Sequence, residues 1–327
     1  MSQTIGRAIG ASEPLVAPDA TRSEPPRWPV TPPSPAAGPR HHTDRAAAER
    51  LLPRGDRGTF QRWFRHWFSR TVSKLIMKGW FRITVVHPER FLDEPCVYAF
   101  NHLSWMDPML LLATFPKAPR LYFYGPRQEN LKAGRRNRFM WWTGVPVPFS
   151  PLKDDLITSV RYVQAVFDSG GSLAIAPEGS IHVHEGDLLP FEDGAAYMAL
   201  RAGVPIVPVA ITGISAAFFR GRILVRVGER IDVEGRPSKR NIDHYSAVVW
   251  HAIKAMVAGD RDLPNPGRFE GWLTDLFNDW GEGGRAAAEH RRGPDPADVP
   301  IPPPAPTVAA VSAPSSDAGA EVVAAAR

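Results

Sequence analysis

The chain has 327 residues, with 39 Lys and Arg against 34 Asp and Glu, so its formal net charge is +5 and its sequence pI is near 9.5; this balance favours an anionic partner such as a membrane surface, a phosphorylated substrate or nucleic acid. A single cysteine, Cys96, excludes an intrachain disulfide and a cysteine-based zinc site. No apolar run reaches the roughly 18 residues a transmembrane helix needs, and the N-terminus lacks the apolar core of a secretory signal, so we expect a cytosolic protein attached to the membrane from that side.

Residues 1–55 are rich in Pro, Ala, Ser and Arg. Proline fixes φ and removes donors, so this stretch reads as a disordered tail. The segment 56–82 is different. In TFQRWFRHWFSRTVSKLIMKGWFR, the residues Trp63, Phe64, Trp67, Phe68, Val72, Leu75 and Ile76 recur at helical spacing. Arg62, Arg65, Arg70, Lys74, Lys78 and Arg82 follow with no acid between them. One reading is an amphipathic helix packed on a core. The sharper one is a helix in the membrane interface, with Trp63, Phe64, Trp67 and Phe68 in the headgroup zone and each cation contributing about 1 kcal/mol at an anionic surface.

From 83 to 281 the chain alternates apolar runs with helical patterns. ITVV, CVYAF, RLYFYG, VPVPF, SLAIA, IVPVAITG and ILVRVG read as strands, several apolar throughout as in a sheet buried on both faces. PMLLLATF, TSVRYVQAVFDSG, GAAYMALRAG, 241–258 and 267–280 read as helices, the last with Phe269, Trp272, Leu273, Leu276, Phe277 and Trp280 on one face. This order predicts an α/β domain, a largely buried sheet flanked by helices. Cys96 within CVYAF is then a small buried hydrophobe. GVPIVPVAITG (203–213) reads as a strand broken by two prolines. Residues 282–327, rich in Pro and Ala, read as a second disordered tail.

Two turns carry chemistry. Asn101–Pro108 reads NHLSWMDP, directly after the strand CVYAF and before a helix with Pro108 in its first turn. A strand end leading into a helix start is where α/β sheets place their sites. A His five residues before an Asp also occurs at His182/Asp187 and His290/Asp295, so the spacing alone selects nothing. On a regular helix the two would diverge by about 140°, and they meet only if the backbone bends, with Asn101 or Ser104 supplying the helix-start turn. A paired imidazole and carboxylate can take the proton from an attacking hydroxyl; the bland alternative is a pair of helix caps. The second turn, Ala176–Ser180 (APEGS), follows SLAIA. Glu178 is placed to bind an acceptor hydroxyl or a basic group, and Gly179 permits close backbone approach; a plain strand-ending turn explains it equally.

NHxxxxD, then PEGS, then VPIVPVAI resembles the glycerolipid acyltransferase family, which includes the lysophosphatidic acid acyltransferases, over roughly residues 80–235. The resemblance implies a mixed α/β sheet and attachment through N-terminal helices. It makes His102 the base, Asp107 its orienting acid, and Asn101, Ser104, Glu178, Gly179 and Ser180 acceptor-site residues. It also implies acyl-CoA or an acylated carrier protein as donor, a lysolipid as acceptor and no bound cofactor or metal. Departures follow the motif. The family continues PEG with Thr-Arg, whereas Ser180 and Ile181 stand here, and isoleucine cannot pair with phosphate. Glu192 and Asp193 stand where a lysine is usual, and near VPVPF only Lys153 is basic. The cluster Arg127, Lys132, Arg135, Arg136 and Arg138 offers phosphate or donor contacts, or is a solvated loop. A phosphodiester, aminolipid or glycolipid acceptor and a non-catalytic membrane-binding homologue are the alternatives. Nucleic-acid binding is not expected, because the 56–82 helix is too apolar and no recognition motif accompanies it. SIHVHEGD, with His182 and His184, reads as an exposed polar loop rather than a metal site.

Overall fold

A computed structural model describes residues 45–52, 58–127, 134–149, 153–278, 280 and 283–306. Most of the two expected disordered tails, 1–44 and 307–327, lies outside the described residues. Seven strands form one mixed sheet in the order β1-β7-β6-β2-β5-β3-β4: β1 Arg82–Val86, β2 Val97–Phe100, β3 Leu121–Arg127, β4 Pro146–Phe149, β5 Ser172–Ile175, β6 Ile206–Thr212 and β7 Arg222–Val227. Only β6 and β7 pair antiparallel. The central strands β2, β5 and β6 are buried at every residue, which accounts for their unbroken apolar runs.

Alternation along β2 feeds two cores. Val97 and Ala99 join Val163, Met198, Trp250 and Ile253 on one face. Tyr98 and Phe100 join Met77, Leu110 and Leu111 on the other. The first face is covered by α5 (Lys153–Asp168), α6 (Gly194–Ala202) and α7 (Lys239–Val257), the second by α2 (Thr59–Trp80) and α3 (Asp107–Thr114). The remaining helices are α1 (Arg45–Leu51), α4 (Gly134–Thr143), α8 (Arg268–Phe277) and α9 (Gly284–His290).

Four expectations are corrected. The N-terminal tail is not structureless to residue 55: the Ala-rich run at 45–51 forms α1, Ala48 and Leu52 are buried, and Glu49 pairs with Arg62 at 2.6 Å. The C-terminal tail is ordered over 283–306. Prolines lack donors but keep carbonyls, and α7 supplies the matching donors: His251 to Val299 O at 2.7 Å, His244 to Pro302 O at 2.7 Å and Arg240 to Pro303 O at 2.9 Å. Strand β6 is not broken by proline. It runs through Pro208, whose carbonyl accepts from Gly228 N at 2.8 Å. The single apolar face expected of 267–280 is divided: Leu273 and Phe277 pack on the core, while Phe269, Trp272 and Leu276 stay exposed.

Helix α2 also divides its side chains. Trp63, Phe64 and Trp67 are exposed and stack on one another, Trp63 on Trp67 at 6.2 Å. Phe68, expected beside them, turns inward edge-on to Trp142 at 5.6 Å. Arg70, expected at the lipid surface, is buried and donates to Phe115 O at 2.5 Å and Pro116 O at 3.0 Å, closing the C-terminal end of α3.

Candidate active site

Strands β2 and β5 are parallel neighbours, with Ala99 beside Ile175. Their ends therefore deliver Asn101–Asp107 and Ala176–Ser180 to the same edge of the sheet. Between His102 and Asp107 the chain makes a turn, Asp107 N donating to Ser104 O at 3.0 Å, before α3 begins with Pro108 in its first turn. That bend brings His102 Nδ1 to 2.8 Å from Asp107 Oδ2. The same oxygen accepts from Leu103 N and Ser104 N, both at 3.0 Å. A carboxylate only accepts, so the ring proton sits on Nδ1 and Nε2 carries the lone pair. The Asp107 side chain is 0% exposed and that of His102 22%, so the imidazole reaches solvent while its carboxylate partner does not. Burial raises the Asp107 carboxyl above the usual aspartate value, and the His102 ring and the amides of Ser104 and Leu103 oppose that rise. Asp107 Oδ1 is buried with no partner.

Glu178 is turned inward. Its side chain is 0% exposed; Oε1 accepts from His102 N and Oε2 from Leu189 N, each at 2.7 Å. His182 N donates to His102 O at 3.3 Å, so the His102 backbone is gripped on both sides by the turn after β5. The His182 ring stands 3.0 Å from Glu178 Oε2 without hydrogen-bond alignment. Asn101 is likewise turned inward: both ends of its amide bond Ile211 of β6, at 2.8 and 2.7 Å. Ser104 is fully buried, donating to Asn278 Oδ1 at 2.8 Å. The polar atoms of Asn101, Ser104 and Glu178, expected at the acceptor, are engaged within the protein and fix the loop that carries His102. Gly179 is exposed at φ 64, a conformation that favours glycine, and Ser180 is half-buried beside it. Ile181 is buried.

The loop SIHVHEGD is not exposed. His182, His184 and Glu185 are buried; His184 bridges Asp262 and Glu289 O, both at 2.8 Å, and Glu185 accepts from Gly213 N at 2.6 Å and Ser215 N at 3.0 Å. Of the basic cluster, Arg138 is exposed on α4. Lys132 and the side chains of Arg127, Arg135, Arg136 and Lys153 lie outside the described residues, although β3 ends at Arg127 on the same sheet edge as β2 and β5.

The residue that sequence reasoning missed is Asn278, at the end of α8. Its Oδ1 accepts from Ser104 Oγ at 2.8 Å and Trp105 N at 2.9 Å. No local pattern marks an asparagine that far along the chain as a partner of this loop.

An imidazole–carboxylate pair thus stands at the carboxyl ends of buried parallel strands, its ring partly exposed to solvent and its carboxylate enclosed. Residues 82–212 match the family model described as Acyltransferase. The chain is 30% identical over 186 residues to the 1-acyl-sn-glycerol-3-phosphate acyltransferase beta of Homo sapiens, covering 51% of this chain and 66% of that protein. It is 28% identical over 184 residues to the alpha form of Bos taurus, covering 54% of this chain and 61% of that protein, so it spans just under two thirds of these relatives. A crystal structure of the 1-acyl-sn-glycerophosphate acyltransferase PlsC from Thermotoga maritima aligns with a TM-score of 0.49 and 20% identity, covering 64% of this chain and 90% of that one.

Proposed function

We propose that the protein is an O-acyltransferase that moves a fatty acyl group from acyl-CoA or acyl carrier protein to the hydroxyl of a lysolipid, working from the cytoplasmic face of a membrane in phospholipid synthesis or remodelling. The observation that carries this reading is the 2.8 Å contact between His102 Nδ1 and Asp107 Oδ2, with the imidazole partly exposed to solvent. In the reaction, Nε2 takes the acceptor hydroxyl proton as the oxygen attacks the thioester carbonyl. The tetrahedral intermediate collapses, the C–S bond breaks, and the imidazolium returns its proton to the departing thiolate. Ester and free thiol leave; Asp107 stabilises the imidazolium throughout.

Beside this loop lies an apolar pocket of about 210 Å³, lined in part by Val72, Ile76, Trp105, Met109, Phe139 and Phe277. Its chemistry suits the acyl chain, and of its lining residues Trp105 lies between His102 and Asp107 in sequence and Met109 two residues after Asp107. The exposed aromatics Trp63, Phe64 and Trp67 of α2, with neighbouring cations, suit a lipid interface. No described helix is long and apolar enough to cross a membrane, and attachment is proposed to be peripheral.

One observation favours a second acceptor class. Ile181, at the position where the resembled family carries arginine, is buried and offers nothing to a phosphate monoester; an aminolipid or glycolipid acceptor fits that departure. A panel of lysolipids, read by mass spectrometry with wild type and His102→Ala, tests the proposal. Acyl transfer to no acceptor, or equal transfer by the variant, overturns it.

A further inference from the structure

The backbone of His102 is held at two atoms, and the two holds differ in strength. Its N–H donates to Glu178 Oε1 at 2.7 Å, a charge-assisted bond. Its carbonyl accepts from His182 N at 3.3 Å, longer than the roughly 2.7–3.2 Å usual for such a bond. The weaker hold depends on how the peptide between Ile181 and His182 is set. That peptide is trans, so its N–H and C=O share one plane and point to opposite sides. The N–H faces His102 and the carbonyl faces away from it. There Ile181 O accepts from Arg291 Nη1 at 2.6 Å. His102, one peptide and Arg291 are therefore linked in series.

Arg291 comes from far along the chain, directly after α9, yet its reach is fixed. Two residues before it, Glu289 O accepts from the His184 ring at 2.8 Å. Two residues after it, Gly293 N donates to Asp187 Oδ2 at 2.9 Å. A Cβ on Gly293 would fall 1.9 Å from Leu188 O, so the two backbones are in contact. Residues 289–293 are thus docked on 184–188, the continuation of the turn that grips His102.

We propose that Arg291 is a positioning residue for the acyl-transfer base, holding the Ile181–His182 peptide at the angle from which its N–H restrains His102 O. A guanidinium on the carbonyl opposes rotation of the peptide plane. It also polarises the peptide, so that the N–H becomes a stronger donor. Arg291 lies outside the matched residues 82–212, and the inference rests on His102 acting as the base, as proposed above.

The test compares the full-length wild type with Arg291→Ala, Arg291→Lys and Arg292→Ala, the last removing a neighbouring cation whose side chain is 62% exposed. It reads acyl transfer from palmitoyl-CoA to the lysolipid panel, melting temperature, and amide hydrogen exchange at His182. Arg291→Ala should lower kcat by about tenfold, as expected for one lost hydrogen bond to a charged group, with acceptor KM unchanged and His182 exchanging faster. Arg291→Lys should restore part of kcat, because it keeps the charge but not the planar fork. Arg292→Ala should resemble the wild type. Arg291→Ala matching Arg292→Ala in kcat and in His182 exchange overturns the role. So does a raised KM with intact kcat, which would put Arg291 on the substrate. A loss of kcat that follows the melting temperature and is not relieved by Arg291→Lys also overturns it, since stability alone would explain that result. A wild type that transfers to no acceptor overturns the proposed function instead, and exchange at His182 then decides by itself whether Arg291 sets the peptide.

Discussion

Glu178 holds His102 by its backbone and leaves the ring alone: Oε1 accepts the His102 N–H at 2.7 Å, while Oε2 accepts from Leu189 N at 2.7 Å. The carboxylate that the sequence offered as a substrate ligand is therefore part of the mount on which the imidazole is set.

Glu178→Gln should reduce kcat by about tenfold or more, because one of its two buried backbone donors then faces an amide NH2 and loses about 1–3 kcal/mol. The acceptor KM should hardly move. Steady-state kinetics over acceptor concentration separate the two roles; a raised KM with intact kcat would return Glu178 to the acceptor site.

His102→Ala should lower kcat by about 10²–10⁴-fold and cost some stability as well, since it takes one donor from the buried Asp107 carboxylate. Asp107→Asn should match that loss and also melt earlier. One oxygen, Oδ2, anchors Leu103 N and Ser104 N as well as the ring; a neutral amide oxygen accepts these bonds more weakly, and its NH2 takes the buried, partnerless place of Oδ1. Acceptor-dependent thiol release and thermal melts check both.

Asn278→Ala should depress kcat through the catalytic loop, although Asn278 lies outside the matched residues 82–212. Combined with Ser104→Ala, its effect should be less than additive, because the two share one hydrogen bond of 2.8 Å. Full additivity would mean that the latch does not act on the loop through Ser104.

On Asp187, burial pushes the carboxyl up, but Gly293 N, Lys254 and Leu188 N outweigh it and the net shift is downward. A depressed carboxylate contributes stability above its unfolded pKa and loses it as pH falls through the folded value. Hydrogen exchange should therefore show the segment around Gly293 loosening as pH falls below about 4, and Asp187→Asn should already be loose at neutral pH. Protection unchanged across that range would contradict the role.

Trp63→Ser with Trp67→Ser should release the protein from anionic vesicles while leaving its fold intact, each exposed ring contributing about 1–3 kcal/mol to insertion. Phe68→Ser should instead destabilise the fold, because that ring packs edge-on against Trp142. Co-sedimentation and melting temperature distinguish the two outcomes.

The dyad was legible because one strand, one turn and one Pro-started helix fall within a few residues of each other, and local pattern reads such distances well. The strands were legible because burial on both faces forces continuous apolar runs. Orientation was not legible: Glu178 and Asn101 are polar residues at a sheet edge, and only tertiary pairing with Leu189 and Ile211 turns them inward. The segment at 299–305 was misread because proline content speaks to missing donors, whereas its order rests on carbonyls matched to His251, His244 and Arg240 on a distant helix.

The latch at Asn278 bears on where the protein can be cut. A shortened form stopping at residue 212 or at the end of α7 would retain His102, Asp107 and Glu178, yet leave Ser104 Oγ and Trp105 N without the acceptor that Asn278 gives them. Boundaries drawn around the recognisable domain would therefore isolate its reactive groups from the far stretch of chain that steadies them.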